Sequence, residues 1–262
     1  MDLGLKGKRA LVSASTAGIG FAAASALAAE GCDVIINGRT QPRVDQALQQ
    51  LRAEVPEARV TGIALDLASA AGCQELFRQL PDVDVLVNSL GIFEPKAFEA
   101  ISDADWIRFF EVNVLSGVRL SRAYLPAMKR ANWGRIIFIS SESALQIPAE
   151  MIHYGVTKTA QIAVARGLAE AVAGSGITVN SVLPGPTRSR GVVDFVAALG
   201  AGASFDEFQT EFFRKFRPTS LIKRFEEPEE IASFVTYLAS PLASAITGAA
   251  LRVDGGVVKS AF

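Results

Sequence analysis

Short runs of apolar and β-branched residues recur along the chain, and most are unbroken rather than alternating with polar positions. They are RALVS (Arg9–Ser13), DVIIN (Asp33–Asn37), RVTGIAL (Arg59–Leu65), VDVLVN (Val83–Asn88), RIIFIS (Arg135–Ser140), ITVNSV (Ile177–Val182) and ALRVD (Ala250–Asp254). A strand covered on both faces has no solvent side, so its sequence loses the period of two. The segments between the runs are long enough for crossover helices. Repeated units of this kind predict an α/β fold: a doubly wound parallel sheet with helices on both faces and ligands at the carboxyl ends of the strands. No Pro/Gly/Ser-rich linker and no fixed-period repeat divides the chain, so a single domain over residues 1–262 is expected.

One region breaks the rhythm. Gly185 to Glu227 carries no strand signal but holds Phe195, Phe205, Phe208, Phe212, Phe213 and Phe216. A connection of this length inside a compact domain is usually functional, and a helical lid over about residues 186–220 is expected before the last helix and strand. Phe205, Phe208, Phe212 and Phe216 fall on one face of a helix, opposite Asp206, Glu207, Gln209, Arg214 and Lys215. Two readings stand: the stripe docks onto the core, or it roofs a pocket and selects apolar substrates. Gly200 and Gly202 would then serve as a hinge.

Composition narrows the function. The chain has 262 residues, is 50% hydrophobic and carries 26 Lys+Arg against 27 Asp+Glu. That balance offers no basic excess for nucleic acid. Cys32 and Cys73 lack metal-ligand spacing and read as buried thiols of a cytoplasmic protein. The uncharged run Ala10–Ala29 is broken by Ser13, Ser15, Thr16, Gly18, Gly20 and Ser25. It reads as strand, turn and buried helix rather than as a signal peptide or membrane span.

The loop SASTAGIG (Ser13–Gly20) follows the first run and opens a helix, where unpaired N–H groups and a positive dipole end suit a phosphate. Ala14 stands where such loops commonly have glycine. A negative φ is expected for it, with Ser15 and Thr16 supplying hydroxyl donors beside a pyrophosphate. Further on, Tyr154 and Lys158 are four apart and share a helix face. A lysine ammonium there would lower the tyrosine pKa from its usual value of about 10 and fit it for proton transfer. Ser141, at a strand end, and Asn113 join them. His153, the only histidine, is given a packing role beside Tyr154.

These motifs together resemble the short-chain dehydrogenase/reductase family, over essentially the whole chain. The resemblance implies a Rossmann-type seven-stranded sheet, no metal, and hydride transfer between a nicotinamide and a ketone or secondary alcohol. Asn113, Ser141, Tyr154 and Lys158 match the catalytic tetrad, with Lys158 also holding ribose and Asn113 positioning a relay water. Cofactor contacts are expected from Ser13, Ser15, Thr16, Gly18, Ile19, Gly20, Asn37, Arg39, Asp66, Leu67, Asn88, Gly91, Tyr154, Lys158, Pro184, Gly185 and Thr187. The second run ends with Gly38-Arg39 and no acid, so NADP(H) is preferred, with NAD(H) possible. Ser89-Leu90 depart from the family's usual Asn-Ala. A homotetramer is implied, with the apolar end GVVKSAF at a subunit contact. A ketoacyl-carrier-protein reductase is a competing reading, demoted by neutral Asn132 and Ser175 where basic residues would stand. A non-catalytic NADP-binding protein is another, demoted by the intact tetrad.

Overall fold

The computed structural model describes residues 2–189 and 204–261. Seven strands are present: β1 (Arg9–Val12), β2 (Asp33–Gly38), β3 (Arg59–Ala64), β4 (Val85–Asn88), β5 (Gly134–Ile139), β6 (Ile177–Pro184) and β7 (Ala250–Val253). They form one sheet in the order β3-β2-β1-β4-β5-β6-β7, and every neighbouring pair is parallel. The α-helices among the described residues are α1 (Gly18–Ala29), α2 (Gln41–Glu54), α3 (Ala70–Gln79), α4 (Asp103–Phe110), α5 (Ser116–Ala131), α6 (Ile152–Ala171), α7 (Phe205–Lys215) and α8 (Pro228–Ala239).

Alternate residues of each strand supply two separate cores. Ala10, Val12, Val34, Ile36, Val85 and Val87 pack with α1, α2 and α8 on one face. Leu11, Ile35, Leu86, Ile136 and Phe138 pack with α3, α5 and α6 on the other. Both faces are dry, which is why the runs are unbroken. Strand order reverses between β1 and β4, so a crevice opens beyond their carboxyl ends. Ser13 Oγ lies at its floor and accepts from Ser89 N at 2.9 Å and Leu90 N at 3.2 Å, tying the loop after β1 to the loop after β4. Leu90 packs against the second core.

The loop after β1 departs from expectation at Ala14, whose φ is +52°. The chain turns there because its neighbours bond in opposite directions. Ser13 N donates to Val87 O and Ser15 N to Asn37 O, while Ala14 N reaches Asn37 Oδ1 at 3.2 Å. The left-handed residue lets all three bonds form at once, and alanine bears the strain. Ala14→Gly is therefore expected to raise stability by about 1 kcal/mol, the typical penalty of a left-handed non-glycine residue, and Tm by roughly 2–4 °C. An unchanged or lower Tm in a thermal melt would refute the strain. The neighbouring Gly20 is fixed by sterics, since a Cβ there would stand 2.6 Å from Ala14 O.

Three residues of the phenylalanine stripe dock: the rings of Phe205, Phe208 and Phe212 lie 5.6, 6.1 and 4.9 Å from that of the buried Phe225, joined by Phe213 at 5.2 Å. The fourth, Phe216, is half exposed, with its ring 5.7 Å from that of Phe212. None of the five lines the cavity beside Tyr154, so the stripe does not roof it. The expected result for Phe212→Ala is a lower Tm with KM little changed. A raised KM at constant Tm would restore the roof. Phe195, Gly200, Gly202 and Phe262 lie outside the described residues. In the C-terminal segment, Val257 is fully buried in the chain's own core instead of exposed.

Candidate active site

A cavity of about 370 Å³ sits at the carboxyl ends of the strands, bounded by Gly18–Gly20, Ser141, Tyr154, Lys158, Pro184 and Thr187, with Phe93 at its side. The N-terminus of α1 opens onto it. Ala17, at the N-cap, bears no side-chain cap, so the first-turn N–H groups face the cavity for an anion to accept. This uncapped end, in a crevice of this size, fits a dinucleotide pyrophosphate. Thr16 is partly exposed, whereas Ser15 is wholly buried. Ser15 Oγ donates to Val12 O at 2.7 Å and accepts from Asn37 N at 2.9 Å. The expectation of a Ser15 donor beside the pyrophosphate is thus corrected: its hydroxyl braces the turn. Asn37 is likewise turned inward, its amide donating to Ile63 O and Leu65 O. Arg39 is exposed at the end of β2, as is Asp66 just beyond β3. Leu67 and Asn88 are buried, and Gly91 is exposed at the cavity edge.

The four residues expected to form the tetrad come together from three elements. Asn113 comes from a π-helical turn, Glu111–Leu115, between α4 and α5, a feature frequent at functional sites. Its side chain is locked: Oδ1 accepts from Ile92 N, and Nδ2 donates to Ile92 O and Thr157 Oγ1. Ser141 follows β5. Tyr154 and Lys158 lie on α6, with Lys158 Nζ 5.6 Å from the tyrosine ring centre. Burial pushes the Tyr154 phenol above its usual range and brings the Lys158 amine down to about 7. The expected lowering of the tyrosine pKa by an adjacent ammonium is absent from this arrangement, because both groups are desolvated. His153 is fully buried against Phe109, with ring centres 3.9 Å apart, and burial lowers its pKa; it packs as expected.

Under the loop after β6 lies a carboxyl group that sequence reasoning passed over. Glu226 is buried; its Oε2 accepts from Gly185 N at 3.1 Å, and its Oε1 has no hydrogen-bond partner among the described residues. A Cβ on Gly185 would stand 2.7 Å from that oxygen. Desolvation, with Asp254 and Glu142 adding repulsion, pushes the carboxyl up to about 8. The folded chain therefore holds a proton that the unfolded chain loses near 4.5, so this group's contribution to stability falls as pH rises between those values. Glu226→Gln has nothing to titrate, and its Tm is expected to fall less than wild type's from about pH 5 to 8. Parallel Tm curves would contradict the assignment.

Comparison with known proteins matches this geometry. A family model described as enoyl-(acyl carrier protein) reductase matches residues 13–258. The chain is 51% identical over 264 residues to the uncharacterized oxidoreductase YvaG of Bacillus subtilis (strain 168), covering 100% of each chain. It is 32% identical over 261 residues to the 3-oxoacyl-(acyl-carrier-protein) reductase FabG of Aquifex aeolicus (strain VF5), covering 98% of this chain and 100% of that protein. The chain belongs to the short-chain dehydrogenase/reductase family.

Among solved structures, this short-chain dehydrogenase/reductase is similar to L-sorbose reductase from Gluconobacter frateurii complexed with NADPH and L-sorbose. The TM-score is 0.91 at 30% identity, over 99% of this chain and 100% of that one. The protein is an oxidoreductase of CH–OH and C=O groups that binds a nicotinamide cofactor. No helix among the described residues is long and apolar enough to cross a membrane, and no metal-binding group of His, Cys, Asp or Glu is found among them.

The structure adds a residue to the site. Gln161 is buried one turn beyond Lys158; its Nε2 donates to Asn113 O, and its Oε1 accepts from Lys158 Nζ at 3.3 Å. Its signal in the sequence is positional: Tyr154, Lys158 and Gln161 continue one helix stripe.

Proposed function

We propose that the protein is an NADP(H)-preferring reductase or dehydrogenase of a ketone or secondary alcohol, with Tyr154 as general acid/base. The observation that carries this reading is the placement of Tyr154, Lys158 and Ser141 around one cavity with the uncapped N-terminus of α1. The cofactor supplies or accepts hydride at its nicotinamide. The α1 N-terminus would hold the pyrophosphate, Arg39 the adenosine 2′-phosphate, and Asp66, Leu67 and Asn88 the adenine side. Lys158 would hold the ribose, and Pro184, Gly185 and Thr187 the nicotinamide side. Tyr154, kept protonated by burial, gives its proton to the carbonyl oxygen during reduction and takes one back during oxidation. Asn113 fixes the strand-side wall through Ile92.

The substrate is a weakly polar ketone. Support for this comes from Phe93, 55% exposed, whose ring centre lies 6.4 Å from that of Tyr154, and from Ile92 beside it. The carrier-protein alternative gains nothing from Asn132, which closes α5 in a left-handed turn and accepts from Gly176 N. The chain works as one domain and assembles as a homotetramer in the cytoplasm.

The test is the loss of NADPH absorbance across ketones, diketones, steroids, sugars and acyl thioesters, with NADH in parallel and light scattering for assembly. Turnover of apolar ketones above all others supports the reading. Turnover confined to acyl thioesters or sugars refutes the substrate class, and a monomer refutes the assembly.

A further inference from the structure

Lys158 is a cation kept almost out of water. It is 5% exposed, and burial brings its amine down to about 7. Its partners work against that pull. Nζ donates to Ile139 O at 2.9 Å and to Gln161 Oε1 at 3.3 Å, and both are acceptors. An ammonium has three N–H donors and no lone pair, so these partners suit the charged form. The lone pair of a neutral amine would gain no donor from either.

What turns the acceptor of Gln161 toward Lys158 lies on another element. An amide has donors at one end and an acceptor at the other, and either end could face the lysine. Asn113 O decides which: a backbone carbonyl can only accept, and Gln161 Nε2 donates to it. Oε1 is thereby left for Lys158, and the buried Gln161 has no bulk water as an alternative partner. Asn113 also sends its side chain to Thr157 Oγ1, whose hydroxyl donates to Tyr154 O. The π-helical turn is thus tied to α6 at Thr157 and Gln161, on either side of Lys158. Of the other elements around Nζ, β5 presents Ile139 O, the loop after β4 presents Gly91, and α6 itself presents Tyr154; among these residues only Tyr154 titrates. Glu142 and Arg217, the charged groups beside Tyr154, pair with each other at 3.0 Å.

We propose that Gln161 is a positioning residue for the reaction: anchored on the Asn113 carbonyl, it holds its own carbonyl oxygen against Lys158 and keeps that lysine charged beside Tyr154. A charged amine offers a ligand hydroxyl a bond roughly twice as strong as a neutral one does. The inference rests on the tetrad reading of Tyr154 and Lys158.

The test compares wild type, Gln161→Met and Gln161→Glu on the full chain. Each is assayed from about pH 6 to 9 for kcat/KM with the best ketone of the panel and for NADPH Kd by fluorescence titration, with Tm as a check on folding. Gln161→Met keeps the bulk and removes the acceptor. Its loss of kcat/KM and of NADPH affinity toward alkaline pH should begin about one pH unit lower than in wild type, which is about a tenfold loss in kcat/KM at pH 8. Gln161→Glu sets a carboxylate beside the amine and should move the same limb upward. Tyr154 titrates above that window. Glu226, at about 8, is common to all three proteins and cancels in the comparison. Coincident limbs, whatever the change in kcat or Tm, overturn the proposal, since Gln161 would then only pack α6 against the π-helical turn. Lys158→Met separates the two readings. Wild-type kcat/KM and NADPH Kd in that variant overturn the tetrad reading and the inference with it, whereas a loss there beside coincident limbs sinks only Gln161. Should the glutamate variant not fold, the methionine limb alone decides.

Discussion

Tyr154→Phe is expected to lower kcat by about 10²- to 10⁴-fold while leaving the NADPH Kd within about twofold. The substitution removes the exchangeable proton and keeps the ring. The packing against Phe93 survives, as does Lys158, held by Ile139 O and Gln161. Neither other tyrosine lines the cavity, and the single histidine, His153, is fully buried against Phe109. Because burial holds the Tyr154 phenol above its usual range, the resting group is protonated at neutral pH, which favours proton delivery to a carbonyl. Steady-state turnover and fluorescence titration with NADPH check both halves. A kcat within about threefold of wild type would show that another group moves the proton.

The second large effect concerns Arg39. Its guanidinium is exposed just past β2 and makes no ion pair among the described residues. β2 ends with Asn37 and Gly38, neither of them an acid to bind ribose hydroxyls. A hydrogen bond to a charged group contributes about 1.5–3 kcal/mol, which corresponds to roughly tenfold to a hundredfold in Kd. Arg39→Ala should weaken NADPH by that factor and leave NADH unchanged. Raising the salt should narrow the difference, since the contact lies at the surface. Equal Kd values for NADPH and NADH in the wild-type protein would dispose of the assignment.

The parts of the molecule most legible in the sequence are those set by periodicity. Continuous apolar runs announced strands with two dry faces, and four-residue spacing announced that Tyr154 and Lys158 share a helix face. Properties set by partners distant in sequence were not legible. Ala14 is left-handed because Val87 and Asn37 pull its neighbours apart, and alanine itself does not encode that. Ser15 looks like a donor in a loop until Asn37 draws its hydroxyl inward. The spacing of the phenylalanine stripe revealed a helix face, but not that Phe225 would receive it. The electrostatic reading of Lys158 on Tyr154 assumed a fully charged amine, and burial weakens that premise by bringing the amine down to about 7. Glu142 stands next to Ser141 in the sequence, yet nothing in the sequence shows that Arg217, 75 positions away, pairs with it.

The bond from the loop after β4 back to Ser13 has a bearing on how such a protein diversifies. Ser89 N and Leu90 N both converge on Ser13 Oγ, so the floor of the crevice is stitched across the strands that would otherwise part there. A ligand seated on that floor meets a surface already in place. Changes in the residues above it, Phe93 among them, can then alter which molecule is accepted without moving that floor, so substrate range can drift while the scaffold stays put.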